Sequence, residues 1–406
     1  MDILFIGGVY EKNLVQDYIN KSKSGIQLAV NTHQWNIIDG IDSKEDISLS
    51  ILSGVFIEEY PKYQELYKKK NIWSHNGISK DENIGFLNIF GIKQIWRTIS
   101  MEHKAKLWAK KQGKDKNIIC YYTNVPFMNA AIQAKKKNQQ IKTTLIVSDV
   151  PGFLNLSNKQ SIKSKIIYSL SMRKIKKLLN KFDNFILLTE EMKNVLDIGD
   201  RPYIVMEGLI NSNDAVTVEK IKQKKIDKKV IVYSGSLHEK YGIMTLLEAF
   251  KLIKDKDYKL IIFGDGECRE YIEGLQNRDS RIEYLGYQQR EIVLEYQRKA
   301  TVLINPRDDQ GEFNKYSFPS KNLEYLISGT PVIAYKLAGM PEEYVDYINI
   351  PKGDKAIDLA TTIMEVCNKS EFELKEMSIK ARNFIVNEKN INKQADRIIN
   401  LLRGLV

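Results

Sequence analysis

The sequence has little cysteine or histidine. Among its 406 residues are four histidines and three cysteines, and Cys120, Cys268 and Cys367 lie far apart with no ligand-spaced partner. A disulfide framework and a structural zinc site are therefore not expected, and the pattern is typical of a reducing compartment. Long apolar runs are missing as well, because no stretch approaches the roughly 18 apolar residues that a membrane span needs.

The start of the chain, residues 1–8, has no basic segment and only a short apolar run. We therefore expect a first β-strand that ends in glycines, not a signal peptide. Together with the missing apolar runs, this start predicts a cytoplasmic protein, either soluble or peripheral on the inner face of the cell membrane.

The chain is strongly basic, with 62 Lys and Arg against 51 Asp and Glu and a formal net charge of +11. A solvated lysine-rich surface and an anionic membrane surface as partner are both open interpretations. No DNA- or RNA-binding motif accompanies the charge, so nucleic acid is not an expected partner. Residues 162–181 predict a basic amphipathic helix, which fits either packing on a core or an approach to anionic lipid heads.

Short apolar strands alternate with helical patterns in both halves, which predicts stacked βαβ units of an α/β fold. The length exceeds what one core usually supports, so two domains are expected. We predict an N-terminal domain over 1–210, a polar, lysine-rich linker over 211–228, a second domain over 229–385 and a C-terminal helix over 386–406. The strands of the first half are expected near Ile3–Ile6, Gly54–Glu58, Phe86–Phe90, Ile118–Tyr122, Thr144–Val147, Phe185–Leu188 and Tyr203–Met206.

The stretch 301–335 is the most informative part of the second half. It predicts a buried strand, a polar loop, a helix that begins near Pro319 and ends near Gly329, and a second buried strand. The first turn of such a helix directs backbone N–H groups to the carboxyl edge of a parallel sheet, where phosphates bind. Lys321 in that turn is unfavourable unless an anion is bound, and Glu324 is placed to meet a ribose hydroxyl. Ser320 fits either this site or a simple helix cap.

Two further loops of the second half follow predicted strands. Ser236 offers a hydroxyl after the strand Val230–Tyr233, and Lys240 offers a point charge where the next helix opens. A tight turn and a solvated lysine remain the alternatives. Gly264 and Gly266 form a Gly-x-Gly pattern without its third glycine, which fits either donor binding or a strand-to-helix turn. Gly7 and Gly8 leave the same two options open in the first half.

These segments resemble retaining family-4 glycosyltransferases, which have the GT-B fold. The pattern Tyr-Ser-Phe-Pro-Ser-Lys-x-x-Glu-Tyr over 316–325 and Gly-Thr-Pro-Val over 329–332 resemble a bacterial subgroup that makes extracellular or capsular polysaccharide. The likeness is strong over about residues 228–345. It implies two Rossmann-like domains that face each other across a cleft, with a C-terminal helix that crosses back to the N-terminal domain.

The resemblance also implies roles for individual residues. Lys240 and Lys321 would neutralise the donor diphosphate, and Glu324 would accept hydrogen bonds from the ribose. The family has a glutamate where this chain has Tyr316 and an arginine where it has Ser236.

Two further regions gain roles from the same resemblance. The backbone at Tyr284 and Leu285 would read the nucleobase edge. Asp149 would line the sugar pocket, although an aspartate just before Pro151 is also typical of a turn.

The resemblance implies a hexosyltransferase that moves a sugar from a nucleotide-diphosphate donor to a carbohydrate acceptor, lipid-linked in surface polysaccharide synthesis, with retention. Asp149, Lys240 and Lys321 are the candidate catalytic residues. No metal or cofactor is expected, because the nucleotide-sugar is the substrate. Two alternatives stay open. A non-catalytic partner of a transferase would explain Tyr316 and Ser236, and a nucleotide-sugar epimerase would need more carboxylates and histidines than this chain offers.

Overall fold

A computed structural model describes residues 1–151, 162–211, 229–309 and 311–406, without the side chains of 162–168 and 313. Most of the predicted linker, residues 212–228, lies outside the described residues. The chain divides into two compact units. The N-terminal unit comprises Met1–Leu209 and Ile391–Val406, and the C-terminal unit comprises Ile210–Asn390.

A twisted, mostly parallel sheet forms the centre of the N-terminal unit. Its strand order is β10-β9-β8-β7-β1-β2-β5-β4, and β4 is antiparallel to β5. Interior strands such as β1 are apolar on both faces, as expected for a sheet covered by helices on both sides. The strands are β1 (Asp2–Gly7), β2 (Ser48–Ser53), β4 (Asn71–Trp73), β5 (Asp81–Asn83), β7 (Lys116–Tyr121), β8 (Lys142–Val147), β9 (Asn184–Leu187) and β10 (Tyr203–Val205), and a separate ribbon pairs β3 (Tyr67–Lys68) with β6 (Phe86–Leu87).

Two strand predictions in this unit were wrong in position. The strand expected over Gly54–Glu58 is β2, which ends at Ser53 in register with Gly7. The apolar residues after it form a loop, whose Gly54 and Ile57 carbonyls accept hydrogen bonds from the side chains of Arg97 and Lys93. The strand expected over Phe86–Phe90 is only the two-residue β6, because Gly91 turns the chain into a helix.

Helices cover both faces of this sheet, and the last helix of the chain is one of them. The final helix, α13 (Ile391–Arg403), packs against α2 (Leu28–Asp42), the edge strand β10 and its neighbour β9, and it buries Ile398, Leu401 and Leu402. The helices of this unit are α1 (Val15–Asn20), α2 (Leu28–Asp42), α3 (Ile92–Lys110), α4 (Val125–Lys137), α5 (Ile162–Leu179), α6 (Met192–Val195) and α13 (Ile391–Arg403). Of the described helices, none is long and apolar enough to cross a membrane.

The C-terminal unit contains a five-stranded parallel sheet in the order β13-β12-β11-β14-β15. The strand predicted over Val230–Tyr233 and the two buried strands predicted within the stretch 301–335 occur where expected. The strands of this sheet are β11 (Lys229–Ser234), β12 (Tyr258–Phe263), β13 (Ile282–Gly286), β14 (Val302–Asn305) and β15 (Val332–Ala334). The helices are α7 (Ile243–Leu252), α8 (Arg269–Gln276), α9 (Arg290–Lys299), α10 (Lys321–Ile327), α11 (Ala356–Cys367) and α12 (Glu371–Glu388).

The strand order of the second sheet reverses between β11 and β14. The chain builds outwards from β11 through β12 to β13 and then returns to add β14 on the other side. In open parallel sheets, ligands bind outside the carboxyl ends of the strands at such a switch point. The loops after β11 and β14 are therefore the first place to search for a site.

Candidate active site

A pocket of about 240 Å³ lies at this switch point. The end of β11 with its loop contributes Ser234, Gly235 and Ser236, and the end of β14 with its loop contributes Asn305 and Arg307. The remaining lining residues are Tyr233, Tyr241, Phe318, Pro319, Ser320, Lys321 and Tyr325. Three predicted site residues, Ser236, Ser320 and Lys321, thus share one pocket.

Two glycines of the neighbouring loop hold the β11 loop in place. A Cβ atom at Gly264 would lie 1.8 Å from the Gly235 carbonyl oxygen, and one at Gly266 would lie 2.7 Å from the Leu237 backbone. Hydrogen bonds join the same loops, because the Gly235 N–H donates to Phe263 O at 3.1 Å. Gly264 and Gly266 therefore permit close backbone packing beneath the pocket, which is the turn alternative for this Gly-x-Gly pattern.

Gly242 brings the turn that carries Lys240 against the loop after β14. Its φ is +78°, and a Cβ atom there would lie 1.9 Å from the Pro306 carbonyl oxygen. Tyr241 in this turn lines the pocket, whereas the exposed Lys240 does not. The Lys240 ammonium lies 5.1 Å from the centre of the Tyr241 ring. Lys240 is therefore at the margin of the pocket.

Glu324 lies beside the pocket in a network of hydrogen bonds. Its Oε1 atom accepts from Lys321 Nζ at 2.8 Å and from Gln297 Nε2 at 2.7 Å. Burial would raise the pKa of Glu324, but the Lys321 charge and the Gln297 hydrogen bond outweigh it, so the pKa is lowered. Glu324 is thus held as a carboxylate, ready to accept hydrogen bonds from hydroxyl groups.

The network continues below the pocket floor. Gln297, on α9, is fully buried and also donates to Ser234 Oγ at 3.0 Å. Tyr325 is 1% exposed, and its hydroxyl accepts from the Ser234 N–H at 2.8 Å. These two side chains tie α9 and α10 to the end of β11, so the position of Glu324 is coupled to the β11 loop.

Arg307 is a cation in the pocket that the sequence analysis missed. Its side chain is 8% exposed, and its Nε donates to Asn314 Oδ1 at 2.8 Å while Nη2 bonds Asn314 and Ser317. These partners belong to the loop 305–317, which carries Tyr316 in a 3-10 turn. Tyr316 is half-buried and does not line the pocket. The position of Arg307, two residues after a buried strand at the switch point, was the signal that could have revealed it.

The end of β13 contacts the loop after β12. The Tyr284 hydroxyl donates to Gly264 O at 2.8 Å, and the Gly264 N–H donates to Gly286 O at 3.0 Å. Leu285 is half-buried between these two contacts. The loop after β12 and the end of β13 are therefore connected next to the β11 loop.

In the N-terminal unit, Gly7 and Gly8 are packed beneath side chains. The Gly8 N–H donates to Gln34 Oε1 at 2.9 Å, and a Cβ atom at Gly8 would lie 2.3 Å from the Phe56 ring. A Cβ atom at Gly7 would lie 2.4 Å from Gln34 Oε1. Both glycines are buried, and they permit the turn after β1.

Asp149 follows β8 at the carboxyl edge of this first sheet. Burial raises the pKa of Asp149 to about 6. Tyr122, at the end of the neighbouring β7, has a φ of +74°, which is uncommon for a residue with a side chain and is found at functional sites. The first sheet reverses its order between β1 and β7. This edge therefore combines a strained residue with a carboxyl group that titrates near neutral pH.

Within the ranges that the structure describes, no group of three His, Cys, Asp or Glu side chains could hold a metal ion. The charge available to a ligand in the C-terminal unit comes from side chains instead. Lys321 and Arg307 supply positive charge, Glu324 supplies negative charge, and Ser236 and Ser320 supply hydroxyls. This set fits a ligand with both an anionic group and vicinal hydroxyls.

The chain is similar to known proteins in sequence and in fold. Residues 228–369 match the family model described as glycosyl transferases group 1. An uncharacterized glycosyltransferase of Methanocaldococcus jannaschii is 27% identical over 195 residues, which are 47% of this chain and 51% of the relative. The chain thus spans about half the length of this curated relative.

Solved structures resemble the chain over its whole length. HepE of Anabaena, solved in complex with UDP, has a TM-score of 0.61 at 13% identity and is covered completely, as is this chain. The lipopolysaccharide outer core galactosyltransferase WaaB, solved in its apo form, has a TM-score of 0.63 at 14% identity, again with full coverage of both chains. With parallel sheets in two Rossmann-like units, the chain has the GT-B fold, as predicted, and its residues 228–369 match the glycosyl transferases group 1 family.

Proposed function

We propose that the protein is a glycosyltransferase that moves a sugar from a nucleotide-diphosphate donor to a carbohydrate acceptor. The observation that carries this proposal is the switch-point pocket, which Lys321 and Arg307 both line and where Lys321 pairs with the carboxylate of Glu324. HepE has been solved in complex with UDP and, in a second structure, in complex with UDP-glucose, which supports a nucleotide-sugar donor here.

In this proposal, different residues of the site bind different parts of the donor. Glu324 accepts hydrogen bonds from the ribose hydroxyls, since a carboxylate can accept from both vicinal groups. Lys321 and Arg307 bind the diphosphate, and Ser236 and Ser320 add neutral hydrogen bonds. Arg307 offers a planar guanidinium suited to phosphate and takes the place of the family arginine that Ser236 replaces. Lys240 adds positive charge from the margin of the pocket.

The reaction needs no protein nucleophile in this proposal. The bond between the anomeric carbon and the donor phosphate breaks while the acceptor oxygen bonds to the same face of that carbon, which retains the configuration. The acceptor hydroxyl proton passes to the leaving phosphate oxygen. Lys321 and Arg307 stabilise the charge that develops on the diphosphate. Asp149 accepts a hydrogen bond from the acceptor or from the sugar.

We extend the proposal to a lipid-linked acceptor in surface polysaccharide synthesis, at an anionic membrane surface. WaaB, the galactosyltransferase of the lipopolysaccharide outer core, supports this acceptor class by its fold and its name. The net charge of +11 supports an anionic surface.

The direct test is nucleotide binding followed by transfer. We expect nucleoside diphosphates to raise the melting temperature and a nucleotide-sugar to release free nucleotide in the presence of lipid-linked acceptor extracts. Glu324→Ala should abolish most transfer. Glu324→Gln should keep more donor affinity than Glu324→Ala, because glutamine retains one acceptor oxygen. Glu273→Gln, on an exposed pair with Arg269, is the control.

Lys321→Ala tests the diphosphate assignment. It should weaken donor binding by about 1–3 kcal/mol, the size of one charge-assisted hydrogen bond. The exposed Lys352→Ala should change nothing. Unchanged donor affinity in Lys321→Ala would remove this residue from the site.

A non-catalytic partner subunit is the second candidate, and Tyr316 and Ser236 favour it because they replace charged residues of the family. It predicts nucleotide binding without nucleotide release on any acceptor extract. Under that candidate, Glu324→Ala would also be harmless in cells.

A further inference from the structure

The first half of α3 has the reverse of the usual burial pattern. The side chains of Lys93 and Arg97 are only 3% and 2% exposed, whereas Ile95 and Ile99 are 63% and 65% exposed. A surface helix normally buries its apolar stripe and leaves its charges in water, because burying a charge costs free energy. The exposed face of α3 is therefore unsuited to water.

Hydrogen bonds fix this orientation of the helix. The Lys93 ammonium donates to the Ile57 carbonyl and lies 3.2 Å from the Glu59 carboxylate. The Arg97 guanidinium donates to the Gly54 carbonyl and lies 5.3 Å from the centre of the Phe127 ring. Turning the apolar face inwards would break these contacts, so the exposed isoleucines are part of the folded arrangement.

The exposed residues form one continuous surface. Ile92, Ile95, Trp96 and Ile99 have helical spacing that places them on one face, and Phe90 precedes them with 74% exposure. We call these five residues the α3 apolar surface. Tyr67 of β3 extends it, since its ring lies 6.5 Å from that of Trp96. Monomeric soluble proteins rarely expose large contiguous apolar patches, and such patches mark interaction sites.

The chemistry around this surface points to its occupant. Trp96 and Tyr67 combine apolar rings with polar tips, as side chains at membrane–water interfaces do. The exposed Lys69 follows Tyr67 and Lys68, and the exposed Lys110 ends the same helix. Exposed lysines in or next to the elements that carry these isoleucine, tryptophan and tyrosine side chains complement anionic lipid, in a chain with a net charge of +11. We propose that the α3 apolar surface binds the surface of an anionic lipid bilayer.

The location of the surface gives this binding a use. α3 connects β5 to β7 in a parallel sheet, so its first turns lie at the carboxyl edge. The bond from Arg97 to Gly54, just after β2, places them there as well. A carbohydrate acceptor carried on a lipid would reach the same edge from the bilayer. This last step rests on the proposed function, whereas lipid binding itself does not. The surface also differs from the basic helix 162–181 that the sequence suggested.

Vesicle sedimentation tests the proposal with the whole chain. Wild type should sediment with vesicles of phosphatidylglycerol and phosphatidylcholine in equal parts, and less with phosphatidylcholine alone. Ile95→Gln/Ile99→Gln should lower the affinity more than about tenfold, because two large apolar side chains no longer enter the interface. The matched control is Phe372→Gln/Ile379→Gln, which replaces two exposed apolar residues of α12. Trp96 fluorescence should be quenched by brominated lipid, and Trp96→Phe should remove that change.

Several outcomes would overturn the proposal. The proposal fails if wild type and Ile95→Gln/Ile99→Gln sediment equally with the vesicles. It also fails if wild type does not bind anionic vesicles. A wild-type dimer in light scattering that the same variant dissociates would assign the surface to a second copy. Nucleotide thermal shifts separate this proposal from the proposed function. If Ile95→Gln/Ile99→Gln no longer binds vesicles but still binds nucleotide, lipid docking is supported. If wild type binds vesicles but no nucleotide, only the proposed function fails.

Discussion

At the residue scale, Glu324 depends on a neighbour that does not contact the pocket. Gln297 is fully buried, and its amide nitrogen bonds both Glu324 Oε1 and Ser234 Oγ. That hydrogen bond is one of the interactions that lower the pKa of Glu324 against the effect of burial. Gln297 is therefore a positioning residue that also keeps the carboxylate ionised.

Removing this hydrogen bond should change the pH dependence of donor binding. In Gln297→Leu the pKa of Glu324 rises, so its carboxylate is protonated at a higher pH than in wild type. As the pH is lowered from about 7, we therefore expect the donor affinity of the variant to begin to fall at a higher pH than the donor affinity of wild type. Calorimetric titration at several pH values measures both. Gln289→Leu, at an exposed position before α9, is the control, and parallel profiles for wild type and Gln297→Leu would contradict the role.

Asp149 should show opposite effects on stability and on activity. Its pKa is raised from 3.8 to about 6 by burial, so the folded state favours the protonated form. The contribution of the protonated Asp149 to the stability of the fold is therefore full below the unfolded pKa, and this contribution is lost as the pH rises from about 4 to about 6. Asp149→Asn should raise the free energy of unfolding by about 1–3 kcal/mol at pH 7 and by little at pH 4. The lower part of this range allows for the partial hydration of the carboxyl group, which weakens the effect of burial.

The activity of Asp149→Asn should fall if its carboxylate binds an acceptor hydroxyl. Wild-type kcat/KM for the acceptor should also decline as the pH drops through about 6. Thermal unfolding and transfer assays at both pH values test the pair of effects. The exposed Asp354→Asn should alter neither. A variant that gains no stability at pH 7 would show that Asp149 is not held in a desolvated position.

The sequence could reveal only those pocket residues that lie within one local motif. Lys321 and Glu324 stand three positions apart on one helix, so their spacing predicts a common face, and they form an ion pair. Arg307 lines the pocket and Gln297 supports Glu324 from other elements, which the strand order of the sheet brings together. Side-chain spacing does not encode that order, and Gln297, buried within a largely polar helix, gave no signal.

At the element scale, close backbone contacts between loops shape the pocket. Gly242 and Gly329 both have a φ of +78°, but a Cβ atom would meet Pro306 O at 1.9 Å at Gly242 and nothing within 4 Å at Gly329. Gly329→Ala therefore carries only the backbone strain of about 1–2 kcal/mol. Gly242→Ala should cost more and should also weaken donor binding, because it moves the Tyr241 turn away from Arg307.

Thermal unfolding and nucleotide titration of the two alanine variants provide the measurement. Since the backbone angle is the same, any excess loss in Gly242→Ala reports the contact with Pro306. Equal losses in both variants, with donor affinity kept, would mean that the loop after β14 adjusts freely and that this contact does not shape the pocket.

Sequence patterns located most elements and failed where tertiary contacts reversed the pattern. Gly54–Glu58 is as apolar as a strand, yet its carbonyls accept bonds from Lys93 and Arg97 outside any sheet. The same two cations turn the isoleucines of α3 outwards. A hydrophobic pattern assumes that charges face water, so it predicted a strand over Gly54–Glu58 and gives no sign of the exposed isoleucines of α3.

At the scale of the whole molecule, the C-terminal residues belong with the N-terminal ones. α13 buries Ile398 completely in a core with Ile38, Leu49 and Ile204. The Arg397 guanidinium donates to Val205 O at 2.8 Å. The stability of the N-terminal unit therefore depends on residues that follow the C-terminal unit in the chain.

Ile398→Ala should consequently weaken the N-terminal unit and leave the C-terminal unit unchanged. Truncating a fully buried isoleucine costs about 2–5 kcal/mol, since it removes apolar contacts and leaves a cavity. Hydrogen exchange should quicken across the strands between Met1 and Leu209 and stay unchanged between Lys229 and Asn390. Ile363→Ala, which is also fully buried but lies in the core of the C-terminal unit, should give the reverse pattern. If Ile398→Ala instead quickened exchange throughout the chain, the two units would unfold together, and their two cores would not be independently stable.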